Sequence, residues 1–179
     1  MALPLEYDGG EIDVFPTRIH PVANQNRPLF ESIEWPLTSS GYLDSKLRLN
    51  EVSFQLIRGY MEKYLDKDLL PLYRDIELDG DSFDDYGDNL YHYSDLLCMF
   101  EEIRNAARDI SLDKETDTVR QMIPLHILCY FGGRGRTDKE QLFEELRGDI
   151  ADYMLRFCDA IQSVMDQAPE FDLLDFLGP

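Results

Sequence analysis

Apolar residues recur at helical spacing over the last third of the chain, and this pattern constrains the fold more than any other feature. They fall every three or four residues, which places them along one face of an α-helix. The residues in question are Phe143, Leu146, Ile150, Met154, Phe157, Ile161 and Val164. Pro169 ends the pattern, because proline is not tolerated in a helix interior.

Three further stretches also predict helices. One begins at Asn50, a candidate N-cap, and has apolar side chains at every fourth position. A second follows residue 94 and carries Leu96, Phe100, Ile103, Ala107 and Ile110. The third covers about residues 113–131, where Pro124 is expected to open a new helix or to kink a longer one. Two glycines at residues 132 and 133 are expected to end it.

The first 44 residues show no such pattern. Five prolines interrupt them, namely Pro4, Pro16, Pro21, Pro28 and Pro36. Each proline forbids a helix interior at its position. Short extended pieces are expected around residues 12–15 and 18–20, and nearby apolar residues indicate that this arm packs onto the rest of the protein.

These patterns predict a mainly α fold, a bundle of about four to five amphipathic helices with an irregular, Pro-rich N-terminal arm packed on it. A length of 179 residues fits one domain. We expect a single helical domain over residues 1–179, with the arm at 1–44, the helical body at 45–167 and an acidic-apolar tail at 168–179. The tail motif FDLLDFL is expected to fold back onto the bundle, although it also resembles motifs that enter a partner's groove.

The net charge is unusual for a domain of this size. With 36 acidic and 17 basic residues the chain carries a charge of −19, whereas small domains typically carry about 2–8 charges of either sign. The excess suggests solubility in a crowded cell, a basic protein partner or mimicry of a polyanion. Direct nucleic-acid binding is not expected, because phosphate contacts require a basic face.

Neither a membrane nor an oxidising compartment is indicated. The N-terminus lacks the features of a secretory signal, and the longest uncharged run, residues 121–133, is too short to cross a bilayer. Three widely separated cysteines, Cys98, Cys129 and Cys158, are expected to be reduced and buried. A cytoplasmic location is therefore expected.

Residues 75–88, which we call the acidic segment, read DIELDGDSFDDYGD and contain no Lys or Arg. Their carboxylates repel one another, and no Lys or Arg occurs between Arg74 and Arg104 to relieve that repulsion. A basic protein partner would relieve it. We therefore predict a partner-binding surface formed by Asp75, Glu77, Asp79, Asp81, Asp84, Asp85 and Asp88.

The acidic segment matches a calcium loop only in part. Counted from Asp75, the turn glycine falls correctly at Gly80, but position 12 is Tyr86 where a bidentate glutamate is expected. We therefore predict no metal site and no tight calcium binding here. No other cofactor is expected.

The remaining motifs do not support catalysis. Ser94, His92 and Asp95 are adjacent in sequence, which is not triad geometry. His126 lies in an apolar run and is expected to be a core histidine, and no zinc motif is present. The sequence GGRGR, residues 132–136, is expected to be an interhelical loop, although it could bind an anion or contact the protein's own acidic surface. We predict no catalytic residue.

The leading functional hypothesis is a non-enzymatic acidic binding protein that docks or neutralises a basic protein partner, as an immunity protein or antitoxin does. One alternative is an all-α metal-dependent enzyme that uses carboxylate-bound Mg²⁺. Another is an inhibitor that mimics DNA, for which carboxylates would have to lie at phosphate-like spacing. The oligomeric state stays open.

Overall fold

The computed structural model describes residues 2–6, 12–21, 30–34, 37–38, 41–42, 47–65, 83, 88–112 and 116–178, with only the backbone for residues 19–42 and for Asp88. Seven strands and six helices lie within these residues. In chain order they are β1 (Ile12–Pro21), β2 (Phe30–Glu34), β3 (Leu37–Thr38), β4 (Gly41–Tyr42), β5 (Leu47–Leu49), α1 (Glu51–Phe54), α2 (Arg58–Tyr64), β6 (Asp88–His92), α3 (Tyr93–Ser111), α4 (Asp117–Met122), α5 (Leu125–Gly132), α6 (Lys139–Gln167) and β7 (Leu173–Leu177).

The C-terminal strand β7 lies inside an antiparallel sheet with the strand order β2-β1-β7-β6, and β5 also pairs with β1. Phe176 of β7 pairs with Val14 of β1 on one side and with Asn89 of β6 on the other. The sheet therefore joins the two ends of the chain to a strand from its middle.

The predicted helical bundle is wrong, because the protein combines helices with this antiparallel sheet. The N-terminal arm contains β1, which runs through both predicted extended pieces and pairs with three other strands. The acidic-apolar tail packs on the protein's own body, as expected, but its residues Leu173–Leu177 do so as a strand inside the sheet and not against a helical bundle. Helical periodicity could not detect the sheet, because each strand forms its hydrogen bonds with another strand and not within one continuous stretch.

Helices α3 and α6 pack against each other in antiparallel directions. The start of α3 is bonded to the residues that follow α6, since the amide of Tyr93 donates to the carbonyl of Asp172 at 2.9 Å. The ring centre of Phe157 on α6 lies 6.5 Å from that of Phe100 on α3 and 6.4 Å from that of Phe54 on α1. The Phe54 ring in turn lies 6.4 Å from Phe176 of β7, so these aromatic rings connect the helices to the sheet.

Strand β7 is shielded from solvent on both faces. Leu174 and Phe176 belong to the main apolar core, while the alternate residues Leu173 and Asp175 are also buried but point to the opposite face. A strand buried on both faces shows no alternation of exposed and buried residues, which explains why this one was not recognised as a strand.

The helix caps and helix ends that the sequence indicates agree better with the structure than the predicted fold class does. The side-chain oxygen of Asn50 accepts a hydrogen bond from the amide of Ser53 at 3.0 Å, which confirms it as an N-cap. The single helix expected after Asn50 is interrupted between α1 and α2. Pro124 separates α4 from α5, and Gly133, with φ at 112°, follows the last residue of α5.

Two buried tyrosines differ in how their hydroxyl groups are satisfied, and this predicts opposite effects of the same substitution. Tyr91 donates to the carbonyl of Met61 at 3.0 Å, whereas the hydroxyl of Tyr153 is buried and has no hydrogen-bond partner among the described residues. We expect Tyr91→Phe to destabilise the protein by about 1 kcal/mol and Tyr153→Phe to stabilise it by about 1 kcal/mol. Urea unfolding of the two variants measures both effects, and a loss of stability in Tyr153→Phe would contradict this assignment.

Candidate functional site

The predicted partner-binding residues lie mostly outside the described part of the chain. Asp75, Glu77, Asp79, Asp81, Asp84 and Asp85 are among these undescribed positions. The backbone of Asp88 opens β6, where it pairs with Leu177 of β7. Within the acidic segment the structure therefore describes Phe83 and the backbone of Asp88.

Phe83 anchors the acidic segment in the apolar core. Its side chain is only 2% exposed, and its ring lies 5.0 Å from that of Phe54 in a tilted arrangement. Asp84 and Asp85 follow it directly, and Asp81 lies two residues before it. These three carboxylates are therefore close in sequence to a residue that is fixed to the protein body.

Arg58 of α2 also contacts Phe83. One guanidinium nitrogen donates to the carbonyl of Phe83 at 3.3 Å, and the guanidinium carbon lies 5.9 Å from the centre of the Phe83 ring. Its Nε donates to Glu62 at 2.9 Å. Arg58 therefore lies beside Phe83 in space, although no Lys or Arg occurs in the sequence between Arg74 and Arg104.

A second polar cluster joins α2 to α3. The Lys63 ammonium and the Tyr64 hydroxyl donate to the Glu102 carboxylate at 2.7 and 2.8 Å. The hydrogen bond to Glu102 raises the pKa of Tyr64 to about 12, so the phenol stays protonated near neutral pH. Burial alone would raise the pKa of Glu102, but the hydrogen bonds from Lys63 and Tyr64 outweigh burial and lower it. Near neutral pH neither group is poised to exchange a proton, so the cluster is suited to fastening the two helices.

Several carboxylates on the helices are paired with arginines of the same surface. Asp152 accepts from Arg156 at 2.7 Å, and Asp159 accepts from Arg104 at 3.1 Å. Arg136, in the GGRGR loop, donates to Glu145 at 2.7 Å. Residues 133–136 lie between α5 and α6, which confirms the expected interhelical loop, and Arg136 also contacts the protein's own acidic surface.

The histidines and cysteines whose side chains the structure describes do not form a metal site. His126 is exposed, so the expectation of a core histidine is wrong. Cys158 is buried and Cys98 is exposed, so only part of the expectation for the cysteines holds. Burial raises the pKa of Cys158 to about 12, which leaves its thiol unreactive. Within the described ranges no three Cys, His, Asp or Glu side chains converge to hold a metal ion.

Sequence reasoning missed a buried polar contact in the sheet. Asp175 is fully buried on β7, and its carboxylate accepts a hydrogen bond from the amide of Asn89 at 3.2 Å. The Asn89 side chain donates to the carbonyl of Phe176 at 3.0 Å. No signal in the sequence separates Asp175 from the chain's 35 other acidic residues, so only the fold identifies it.

The remaining observations do not add a functional class. Among the described helices none is long and apolar enough to cross a membrane. The acidic segment therefore stays a predicted site, and the structure adds only that its residue Phe83 packs against Phe54 and contacts Arg58. Neither a protein-family model, nor a curated protein, nor a solved structure matches this chain.

Proposed function

We propose that this protein is a non-enzymatic, cytoplasmic acidic binding protein that docks or neutralises a basic protein partner through its acidic segment. This is the role that an immunity protein or antitoxin fulfils toward a basic toxin. The observation that carries the proposal is the anchoring of Phe83 between Phe54 and Arg58. It fastens the region of highest negative charge density to the protein body.

The ion pairs on α6 make that helix a weaker candidate for docking a basic partner. Carboxylates on α6 such as Asp152 and Asp159 already neutralise arginines, so they attract a basic partner less strongly. In the acidic segment seven carboxylates occur within 14 residues that include no Lys or Arg. Complementary charge of this kind chiefly steers and accelerates association.

Mimicry of DNA by α6 is a poorer explanation of the acidity. Glu145, Asp152, Asp159 and Asp166 are exposed and recur every seventh residue, which spaces them by about 10.5 Å along the helix. Phosphates on one DNA strand follow one another every 3.4 Å or so along the helix axis. These four carboxylates are therefore spaced more widely than phosphates, and Glu145, Asp152 and Asp159 already pair with arginines.

Neutralising the acidic segment tests the proposal. We expect the combined substitutions Asp81→Asn, Asp84→Asn, Asp85→Asn and Asp88→Asn to weaken binding of a decalysine peptide roughly tenfold at low salt. The difference should shrink at high salt, because mobile ions screen exposed charges. Isothermal titration calorimetry at both salt concentrations measures the effect, and unfolding curves check that the fold is retained.

A control variant with the same change in net charge separates a local site from total charge. Asp149, Asp152, Asp159 and Asp166 are less suitable, because two of them hold arginines in place. The better set is exposed and lies outside the ion pairs described above: Glu101→Gln, Glu140→Gln, Asp166→Asn and Glu170→Gln. Each set changes the charge from −19 by +4 to −15. Equal weakening by both sets would refute a site at the acidic segment, and weakening by neither would refute the proposed function.

A further inference from the structure

We propose that α5, the loop after it and the first turn of α6 form a surface on which a second copy of this chain docks, giving a reversible two-fold dimer. The surface is centred on the exposed ring of Tyr130 and includes Phe131, Arg134 and Glu140, and we call it the α5 surface. It is separate from the acidic segment, so the inference does not depend on the function proposed above.

Tyr130 is exposed although it lies on a short apolar helix. It is 59% exposed, whereas Ile127 and Leu128 of the same helix are buried in the core. The half-buried ring of Phe131 packs edge-on against it, with ring centres 5.1 Å apart. Tyrosines placed in this way frequently dominate the binding energy of protein interfaces, because the ring supplies apolar area while the hydroxyl group tolerates water.

The charge pattern indicates where two copies of this chain approach each other most easily. Two molecules that each carry a charge of −19 repel one another, and the repulsion is smallest where neither brings carboxylates to the contact. The longest stretch of the sequence without Asp or Glu is residues 118–137, which includes all of α5 and the loop after it. On α6, Glu144 and Glu145 are already paired with Arg147 and Arg136.

Two opposite charges on the α5 surface make it complementary to itself. Arg134 and Glu140 are both exposed, and within the described ranges neither forms an ion pair. A two-fold interface uses the same patch on both copies, so Arg134 of each copy can pair with Glu140 of the other. An acidic foreign partner would be repelled by Glu140 and a basic one by Arg134, whereas a second copy satisfies both charges.

The size of the α5 surface predicts a weak dimer. Helix α5 has eight residues, so it is about 12 Å long, and a stable interface usually buries about 800 Å² on each partner. We therefore expect an equilibrium between monomer and dimer that depends on protein concentration. Sedimentation equilibrium of the full-length protein in about 0.15 M salt measures it, because this salt screens repulsion beyond about 8 Å.

Removing the central aromatic ring tests the apolar part of the surface. We expect Tyr130→Ser to weaken dimerisation at least tenfold, as the loss of a central interface tyrosine does. Leu112→Ser is the matched control, because Leu112, which follows the last residue of α3, is 58% exposed. This control should leave the dimer unchanged, and unfolding curves confirm that both variants are folded.

Reversing the two charges tests the two-fold arrangement. Arg134→Glu changes the net charge from −19 by −2 to −21, and Glu140→Arg changes it by +2 to −17. Net charge alone predicts that Glu140→Arg strengthens dimerisation, because it reduces the repulsion between copies. The proposed pairing predicts that each single variant weakens dimerisation roughly threefold or more, and that the double variant restores it.

The outcomes that would overturn the proposal are distinct. A protein that stays monomeric up to about 1 mM does not use this surface for a second copy. Equal weakening by Tyr130→Ser and Leu112→Ser would mean unspecific apolar association. Stronger dimerisation by Glu140→Arg, or a double variant as weak as the single ones, would exclude the reciprocal pair. Weakening by Tyr130→Ser alone together with recovery in the double variant would establish the α5 surface as the dimer interface.

Discussion

Replacing Phe176 by alanine is expected to lower the free energy of unfolding by about 3–5 kcal/mol. Phe176 is fully buried, and its ring lies 5.3 Å from Tyr91 and 6.4 Å from Phe54. The substitution removes a large apolar side chain from the layer between the sheet and the helices and leaves a cavity behind. Such a loss is a large share of the stability of a domain of this size.

Urea unfolding followed by circular dichroism measures this change. Leu155→Ala is the matched control, because Leu155 is an apolar residue of α6 that is 40% exposed, and surface substitutions usually alter stability by less than about 0.5 kcal/mol. If Phe176→Ala proved as mild as Leu155→Ala, residues 173–177 would be a peripheral tail. The assignment of β7 to the inside of the sheet would then be wrong.

The second large effect is expected at Phe54, where the core and the acidic segment meet. Its buried ring contacts Phe157 of α6, Phe176 of β7 and Phe83 of the acidic segment, with ring centres 5.0 to 6.4 Å apart. Phe54→Ala should therefore destabilise the protein by about 3–5 kcal/mol. Part of that loss should be shared with Phe83, because the two rings pack directly on each other.

A double-mutant cycle isolates the shared part. Phe54→Ala, Phe83→Ala and the double variant should give a coupling energy of about 0.5–1.5 kcal/mol, as packed aromatic pairs do. Phe54→Ala combined with Leu155→Ala serves as the control pair. The effects of these two substitutions on stability should add, because Leu155 is exposed on α6 whereas Phe54 is buried. Additivity of Phe54→Ala and Phe83→Ala would show that the acidic segment is not anchored in the core.

The helices that form one layer of the protein were largely determined by local sequence. The stripe from Leu96 to Ile110 is buried on α3, and the stripe from Phe143 to Val164 is buried on α6. Asn50 caps α1, and Pro124 separates two helices, as the sequence predicted. These features were predictable because a helix forms its hydrogen bonds four residues apart, so its pattern and its boundaries lie within one continuous stretch.

For the candidate site, the sequence by itself determined only which residues are acidic, and not how the segment is attached to the protein body. The carboxylates of residues 75–88 stand out in the sequence, but their anchor depends on Phe83 meeting Phe54 and Arg58, which lie on another element. Nothing local marks Phe83 as a core residue, because it stands alone among polar neighbours. Its role follows from a contact between parts of the chain about 25 residues apart.

The sheet was decided mainly by tertiary structure, although the sequence indicated the two extended pieces that lie within β1. Strand β7 is only five residues long, and a short apolar run of this kind fits a strand, a helix turn or a docking motif equally well. Its pairing with β1 joins the two ends of the chain, and its burial on both faces removes the alternation that identifies strands. A strand forms its hydrogen bonds only with a partner that the rest of the fold brings to it, so its own residues do not contain that information.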